Sequence, residues 1–410
     1  MKVVIIAAGE GKRMHPLTHT RPKVMLPLAN RPILEHLVGT CRKAGLTDFI
    51  FVTGYRADVI ENHFGRGEAF GVKIEYARQT RQAGTADAVR QVKGKVSGNF
   101  LLLNGDILID TEDILFLASR CEMHIGVFTL EKVKHLGVLE ISDNKIVKIH
   151  EKVENPPSNV INAGVYVLNE NIIDAIEKTP RSPRGEYELT DSLQMLIDSG
   201  RPIFTHALRH WEDISYPWQL LDVNERLLKT LETQNLGTIE DGVRVKGPLS
   251  VGKDSVIKSG VYIEGPVIIG DKCSVGPNCF IRGSTAIGNG CHVGAATEIK
   301  NSIIMGRTAI PHMNYVGDSV VGEGCNLGAG TKIANLRLDK GNISIKGIDT
   351  GRRKLGAIIG DNVQTGINSS INLGTMIGND SAIGPGVLAS GVISPHSVLP
   401  SQKTRPQKKD

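Results

Sequence analysis

The chain has 410 residues, 48 Lys and Arg against 43 Asp and Glu (formal charge +5), 46 glycines, six cysteines and only 4% aromatic residues. That length exceeds what one hydrophobic core serves, so two domains are expected. The scarcity of aromatics leaves few platforms for stacking single-stranded nucleic acid, and the modest charge suits anionic small molecules at least as well as DNA or RNA.

The opening MKVVIIAAG is too short an apolar run for a signal peptide and no stretch could span a bilayer, which points to a cytoplasmic protein without membrane contact. From there to about residue 230, short β-rich runs alternate with helix-like segments. Val3–Ala8, Phe49–Gly54, Val72–Ala77 and Asn99–Asp106 read as buried strands, and 32–44, 57–64 and 85–92 as helices. This grammar predicts βαβ units and a mostly parallel, Rossmann-like sheet. Ligands collect at the carboxyl ends of such strands, so Gly9, Gly54 and Asn104–Asp106 should share a crevice.

The first strand runs into AAGEGKRMHPLTHTRPKVMLP, from Ala7 to Pro27. Glycines let backbone N–H groups approach an anion, Arg13 offers a planar fork for phosphate, and Lys23 a point charge. The third glycine of a dinucleotide loop is absent, and Pro16 and Pro22 forbid a continuous helix. The loop alone is equally compatible with an ordinary turn.

A helix is predicted over 217–235, closing the first domain. Beyond it the grammar changes. Steps of six meet an aliphatic residue at Ile239, Val245, Val251, Ile257, Ile263, Ile269, Val275, Ile281, Ile287, Val293, Ile299 and Met305, and again at Ile359, Ile371, Ile377 and Ile383, with Thr365 between. Six residues make one short strand and one turn, and three such repeats make one coil of a parallel β-helix. Cys273, Cys279 and Cys291 keep step with this repeat and read as small buried thiols. The register fails between Met305 and Val321 and again over 335–354, a segment rich in Arg and Lys. The predicted division is 1–229, a linker at 230–238, a β-helix over 239–400 and a disordered tail at 401–410.

The pattern G-x-G-x-R-M, P-L-T, R-P-K-x-M-L-P, followed by QAGTADAV, NGD, HLGVLE, EK and INAGVYVL, resembles the signature of sugar-1-phosphate nucleotidylyltransferases over essentially the whole first domain. The resemblance implies that Ala8, Gly9, Gln79, Gly84 and Thr85 hold the nucleoside. It assigns Arg13 to the triphosphate and Lys23 to the sugar phosphate, with Gly137, Glu151 and Asn162 lining the sugar pocket. Asp106 would bind Mg²⁺ with Asn224, or alternatively Asp222. The sugar phosphate would attack the α-phosphorus of a nucleoside triphosphate, helped by alignment and charge neutralisation. The long HPLTHTRPK segment is more similar to thymidylyl- and guanylyltransferases.

The hexapeptide repeat resembles the left-handed β-helix of trimeric acyltransferases. Its polar residues are similar to those of bifunctional enzymes joining a uridylyltransferase to a glucosamine-1-phosphate acetyltransferase, including an archaeal two-domain type. That resemblance implies acetyl transfer from acetyl-CoA to an amino-sugar phosphate and a homotrimer. His312 would be the general base, and Asn335 would position the amine or stabilise the oxyanion. Arg282, Lys300 and Lys354 would hold phosphate, Tyr315 and Asn326 would line the site, and Ala329 would meet acetyl-CoA through its backbone. Ile367 stands where a serine is expected. The competing readings are a glucose-1-phosphate thymidylyltransferase with a purely structural β-helix, and a silent scaffold like certain translation-factor subunits.

Overall fold

The computed structural model describes residues 1–131, 133, 136–151 and 154–401. His135 and Lys152 of the quoted motifs and the tail from 402 lie outside the described residues. Two compact units are present: Met1–Glu10, Arg21–Met25 and Pro32–Ile214 form the first, and Gly11–Thr20, Leu26–Arg31 and the chain from Ser215 onward form the second. The compact units divide at Ile214, ahead of the expected boundary at 229, and two short N-terminal segments group with the repeats. Hydrogen bonds explain their membership. Thr20 Oγ1 donates to Asp361 Oδ2 at 2.5 Å and Asn30 Nδ2 to the Ile287 carbonyl at 2.7 Å.

Among the described residues of the first unit nine strands form one sheet, in the order Lys73–Arg78, Asp48–Thr53, Lys2–Ala7, Asn99–Asn104, Val160–Asn169, His124–Thr129, Phe204–Ala207, Lys145–Glu151 and Gly137–Ser142. The first four are parallel, with Ile5 opposite both Phe51 and Leu103. Their Val, Ile, Leu and Phe side chains are buried because apolar clusters cover both faces. The remaining half departs from the predicted parallel sheet, since Val160–Asn169 runs antiparallel to both its main neighbours. A hairpin is one source of this reversal. Asp143 and Asn144 both take positive φ, 49° and 61°, the conformation that reverses a chain in two residues.

The parallel strands end together, as their sequences predict. Gly105 N–H donates to the Ile6 carbonyl at 2.9 Å and Tyr55 N–H to Ala8 at 3.0 Å. A Cβ at Gly54 would stand 2.8 Å from the Ala8 oxygen, so only glycine allows this approach.

The second unit stacks three parallel sheets of nine, nine and eight strands among the described residues. Partners lie eighteen residues apart, as in Val251 opposite Ile269 and Ile269 opposite Ile287. The inward aliphatics, from Leu249 to Ile393, form one continuous core. Turns require left-handed backbone: Asp254, Lys272, Arg307, Asn362 and Asp380 at one corner all have φ of 56–58°. Ile239 and Val245 belong to strands at the sheet edges and stay 37% and 41% exposed.

Two details of the repeat are corrected. After Ile287 the coil shortens by one residue, so Ile304 rather than Met305 occupies the core position. The predicted helix over 217–235 covers only Gln219–Leu228, because residues from Gln234 already pair with the next coil. The basic excursion carries an antiparallel hairpin, Ser344–Ile345 with Ile348–Asp349.

Cys273, Cys279, Cys291 and Cys325 are buried along the helix and Cys41 in the first unit, whereas Cys121 is exposed. Burial pushes the thiols of Cys41, Cys291 and Cys325 up to about 12, which withholds the nucleophilic thiolate. Iodoacetamide on the native protein should label Cys121 fast and the other five only after denaturant. Mass spectrometry of the alkylated peptides checks this.

Candidate active sites

In the first unit the predicted cation and carboxylate do meet. Lys23 Nζ lies 2.6 Å from Asp106 Oδ2, and also 3.3 Å from Asp213 Oδ1. Lys23 is only 7% exposed. Burial acts to lower its pKa, but the two carboxylates outweigh that and hold the ammonium above the ordinary lysine value. Asp213 escaped sequence reasoning. It ends the short strand Trp211–Asp213, which pairs antiparallel with Ile107–Ile109 and places Asp213 opposite Ile107, next to Asp106. The acidic pair in HWEDI was the available signal.

Among the described residues no group of three or more His, Cys, Asp and Glu could hold a metal. Two carboxylates converging on one cation nevertheless suit Mg²⁺, which takes one or two carboxylates and completes its shell with water and phosphate oxygens. The second ligand that the resemblance implies, Asn224 or alternatively Asp222, lies in the second unit. Asn224 is fully buried, its Oδ1 accepts from Ala29 N–H at 2.9 Å and its Nδ2 donates to the Ser284 carbonyl at 3.0 Å. It fastens elements of the second unit, as does Asp222, which pairs with Arg352.

The nucleoside candidates border the same strand ends. Nothing lies within 4 Å of a Cβ built at Gly9, so space stays open there. Ala8 accepts from Gln82 Nε2 at 2.9 Å. Gly84 has φ of 117° and caps the helix Thr85–Arg90, whose Thr85 hydroxyl accepts from Leu189 N–H. Gln79 lines a cleft of about 440 Å³ with Gly54, Tyr55 and Gln82. On the sugar side, a Cβ at Gly137 would stand 3.2 Å from Glu151 Oε2 and 3.8 Å from Asn162 Cβ, so these three converge. Glu151 also accepts from Arg184 and Thr190, two partners that sequence reasoning missed.

Arg13 is exposed in the second unit, in the turn Lys12–Met14 anchored by buried Met14 and Leu17. Its guanidinium lies 5.6 Å from the Tyr216 ring centroid. Thr18 Oγ1 closes the loop onto the Gly11 carbonyl at 3.0 Å.

On the β-helix, Arg282, Lys300, Tyr315 and Asn335 come from successive coils of one sheet face. Their organiser is Asp318, 2% exposed, which the sequence reading did not select. It lies 3.5 Å from Lys300 Nζ and accepts from Asn301 and Asn335, the latter at 2.6 Å. Asn335 Nδ2 also donates to the Tyr315 hydroxyl at 3.2 Å. With both amide hydrogens engaged, Asn335 presents only its carbonyl oxygen. That atom can accept from an amine but cannot stabilise an oxyanion. Arg282 pairs with Glu298 at 3.1 Å. Lys354 sits at the neck of the excursion, where Leu336 bridges to it and Leu355 N–H donates to the Asn335 carbonyl.

His312, Asn326 and Ala329 occupy the preceding sheet and the corner after it. Gly330 N–H donates to the His312 carbonyl and Asn368 N–H to Ala329. No hydrogen bond joins His312 to Tyr315 or Asn335 among the described residues. Ile367 is 57% exposed at the corner of the following coil.

An α/β nucleotidyltransferase domain followed by a hexapeptide β-helix is the class these two units define. Residues 2–230 match the nucleotidyl transferase family, 263–366 the GMPPB C-terminal domain, and 356–388 the hexapeptide repeat of succinyl-transferase. The chain is 43% identical over 410 residues to the bifunctional protein GlmU of Methanococcus maripaludis, covering 97% of each. It is 40% identical to a bifunctional sugar-1-phosphate nucleotidylyltransferase/acetyltransferase of Sulfurisphaera tokodaii, covering 95% of this chain and 97% of that one. A solved structure from Bacillus anthracis, described as a candidate glucose-1-phosphate thymidylyltransferase, shares the fold with a TM-score of 0.52 at 24% identity. It spans 57% of this chain and 98% of its own. The protein belongs to the GlmU family of bifunctional nucleotidyltransferase and acetyltransferase enzymes. Among the described residues no helix is long and apolar enough to cross a membrane.

Proposed function

We propose that the protein makes a UDP-N-acetylhexosamine in the cytoplasm, as a homotrimer, from acetyl-CoA, a hexosamine 1-phosphate (glucosamine first, galactosamine second) and UTP. The observation that carries this reading is the coexistence of two charged clusters in one chain. Lys23, Asp106 and Asp213 meet in the first unit, and Lys300, Tyr315, Asp318 and Asn335 in the second.

In the acetyl step the amine nitrogen attacks the thioester carbonyl, the C–S bond breaks and coenzyme A leaves as thiol. An ammonium cannot attack, so a base must take its proton. The imidazole of His312 is the group assigned to take it. Asn335 Oδ1 orients the amine, while Arg282, Lys300 and Lys354 attract the phosphate.

In the second step a sugar-phosphate oxygen attacks the α-phosphorus of UTP and pyrophosphate departs. Lys23 holds phosphate oxygens, and Glu151, Asn162 and Gly137 border the sugar; the family resemblance assigns Arg13 to the triphosphate. Mg²⁺ on Asp106 and Asp213 would neutralise phosphate charge.

Incubation with Mg²⁺, acetyl-CoA, glucosamine 1-phosphate and either UTP or dTTP, following free thiol and pyrophosphate together, tests the reading. Both signals with UTP preferred support it. Pyrophosphate from a hexose 1-phosphate and dTTP without thiol would leave the β-helix as scaffold.

A further inference from the structure

Gln79 follows the strand Lys73–Arg78 and is 5% exposed. Its side-chain Nε2 donates to the Gly84 carbonyl at 3.1 Å and to Asp87 Oδ2 at 2.9 Å. Both partners can only accept, so the orientation of this amide follows from chemistry. The two amide hydrogens are thereby spent, and Oε1 has no partner among the described residues. Asp87 is fixed in turn, because Arg90 Nη1 lies 3.2 Å from its other oxygen and the Arg90 guanidinium stacks 5.0 Å from the Tyr187 ring centroid. The Gly84 carbonyl is equally fixed. At its φ of 117° a Cβ would stand 2.3 Å from the Tyr187 oxygen.

We infer that Asp87, backed by Arg90, is a positioning residue that locks Gln79 with its carbonyl oxygen toward the nucleotide cleft, so that the cleft selects bases offering an N–H donor. Uracil and thymine carry an imide N3–H flanked by carbonyls, and guanine an N1–H. Cytosine presents an unprotonated N3, an acceptor that would face an acceptor. A site built around one buried hydrogen bond discriminates strongly against an analogue that cannot complete it. This inference rests on the nucleotidyl-transfer reading of the first unit. It adds Asp87 and Arg90, which do not touch the nucleotide, to what sets the choice of base.

Asp87→Asn is nearly isosteric and can donate to Gln79 Oε1, which frees the amide to turn round. In the full-length protein its ratio of kcat/KM for UTP over CTP should fall about tenfold or more, chiefly through KM. Thiol release from acetyl-CoA and the Tm should stay as in wild type. Arg90→Gln, which loosens Asp87 without touching Gln79, should move the ratio in the same direction by less. This second variant keeps the test decisive if Asp87→Asn folds poorly. Calorimetric titration with UTP and CTP reads the cleft independently of turnover. A wild-type protein that binds both nucleotides equally, or variants that keep the wild-type preference, would overturn the inference. Preferential UTP binding without any pyrophosphate release would overturn the reaction assigned to the first unit and leave the inference standing.

Discussion

Replacing Asp213 by asparagine lowers pyrophosphate release about 10²- to 10³-fold while thiol release from acetyl-CoA stays at the wild-type level. Asp213 and Asp106 are the two carboxylates on Lys23 Nζ, at 3.3 and 2.6 Å, and they alone offset the burial of that ammonium. Asparagine keeps the shape and removes the charge, so any cation shared with the phosphates loses half of its anionic support. Asp106→Asn should cost as much, and the double variant far less than the product of the two effects, because both serve one cluster. The pH dependence gives an independent readout. The pKa of Lys23 is raised in the folded protein, so its ion pairs contribute fully below the ordinary lysine value of about 10.4 and are lost as pH climbs through the folded value. With Asp213 neutral, burial gains weight, the folded value drops, and the alkaline limb of activity moves to lower pH. Wild-type turnover with an unmoved alkaline limb in Asp213→Asn would remove Asp213 from the site.

The parts legible in sequence are those fixed by local periodicity. Six-residue steps located much of the core of the β-helix, because each six-residue repeat is one strand and one turn. The scheme slipped at the first coil, where Ile239 and Val245 stay exposed, and where a single residue is missing, so that Ile304, Ile310 and Val316 carry the core through a stretch where the register was expected to fail. The strand ends around Ala8, Gly54 and Asn104 were legible for the same reason, since βαβ alternation dictates where parallel strands stop. Contributions from distant pairing were not legible. Asp213 reaches Asp106 only through the register of two three-residue strands, and Asp318 becomes an organiser only because coil stacking sets Gly317 opposite Lys300 and so brings Asp318 beside Lys300 and Asn335. The environment of Asn224 was equally out of reach. The resemblance offers it as a metal ligand, while its full burial and its two backbone partners come from packing between distant segments. Polar residues declare themselves by type, but their function depends on which hydrogens and lone pairs packing leaves unspent. Asn335 and Gln79 both show this, each keeping only a carbonyl oxygen.

Replacing His312 by alanine should lower acetyl transfer about 10²- to 10⁴-fold, the range lost when a positioned base is removed. The ammonium of a hexosamine phosphate must lose its proton before attack, and Asn335, with only an acceptor to offer, can orient the amine but cannot replace the base. Raising the pH should therefore recover part of the lost rate in His312→Ala, because solvent then supplies the free amine. Wild type should gain less from the same change. His292 lies one coil earlier, and its pKa is lowered first by burial and then by the charges of Lys258 and His312. It is thus a nearby imidazole against which the effect can be gauged, and His292→Ala should keep most thiol release. Pyrophosphate release from UTP and N-acetylglucosamine 1-phosphate should be unchanged in both variants, since neither histidine belongs to the first unit. Full thiol release by His312→Ala at neutral pH would transfer the base to another group. A large loss that alkaline pH does not relieve would mean that His312 shapes the corner next to Ala329 without handling the proton.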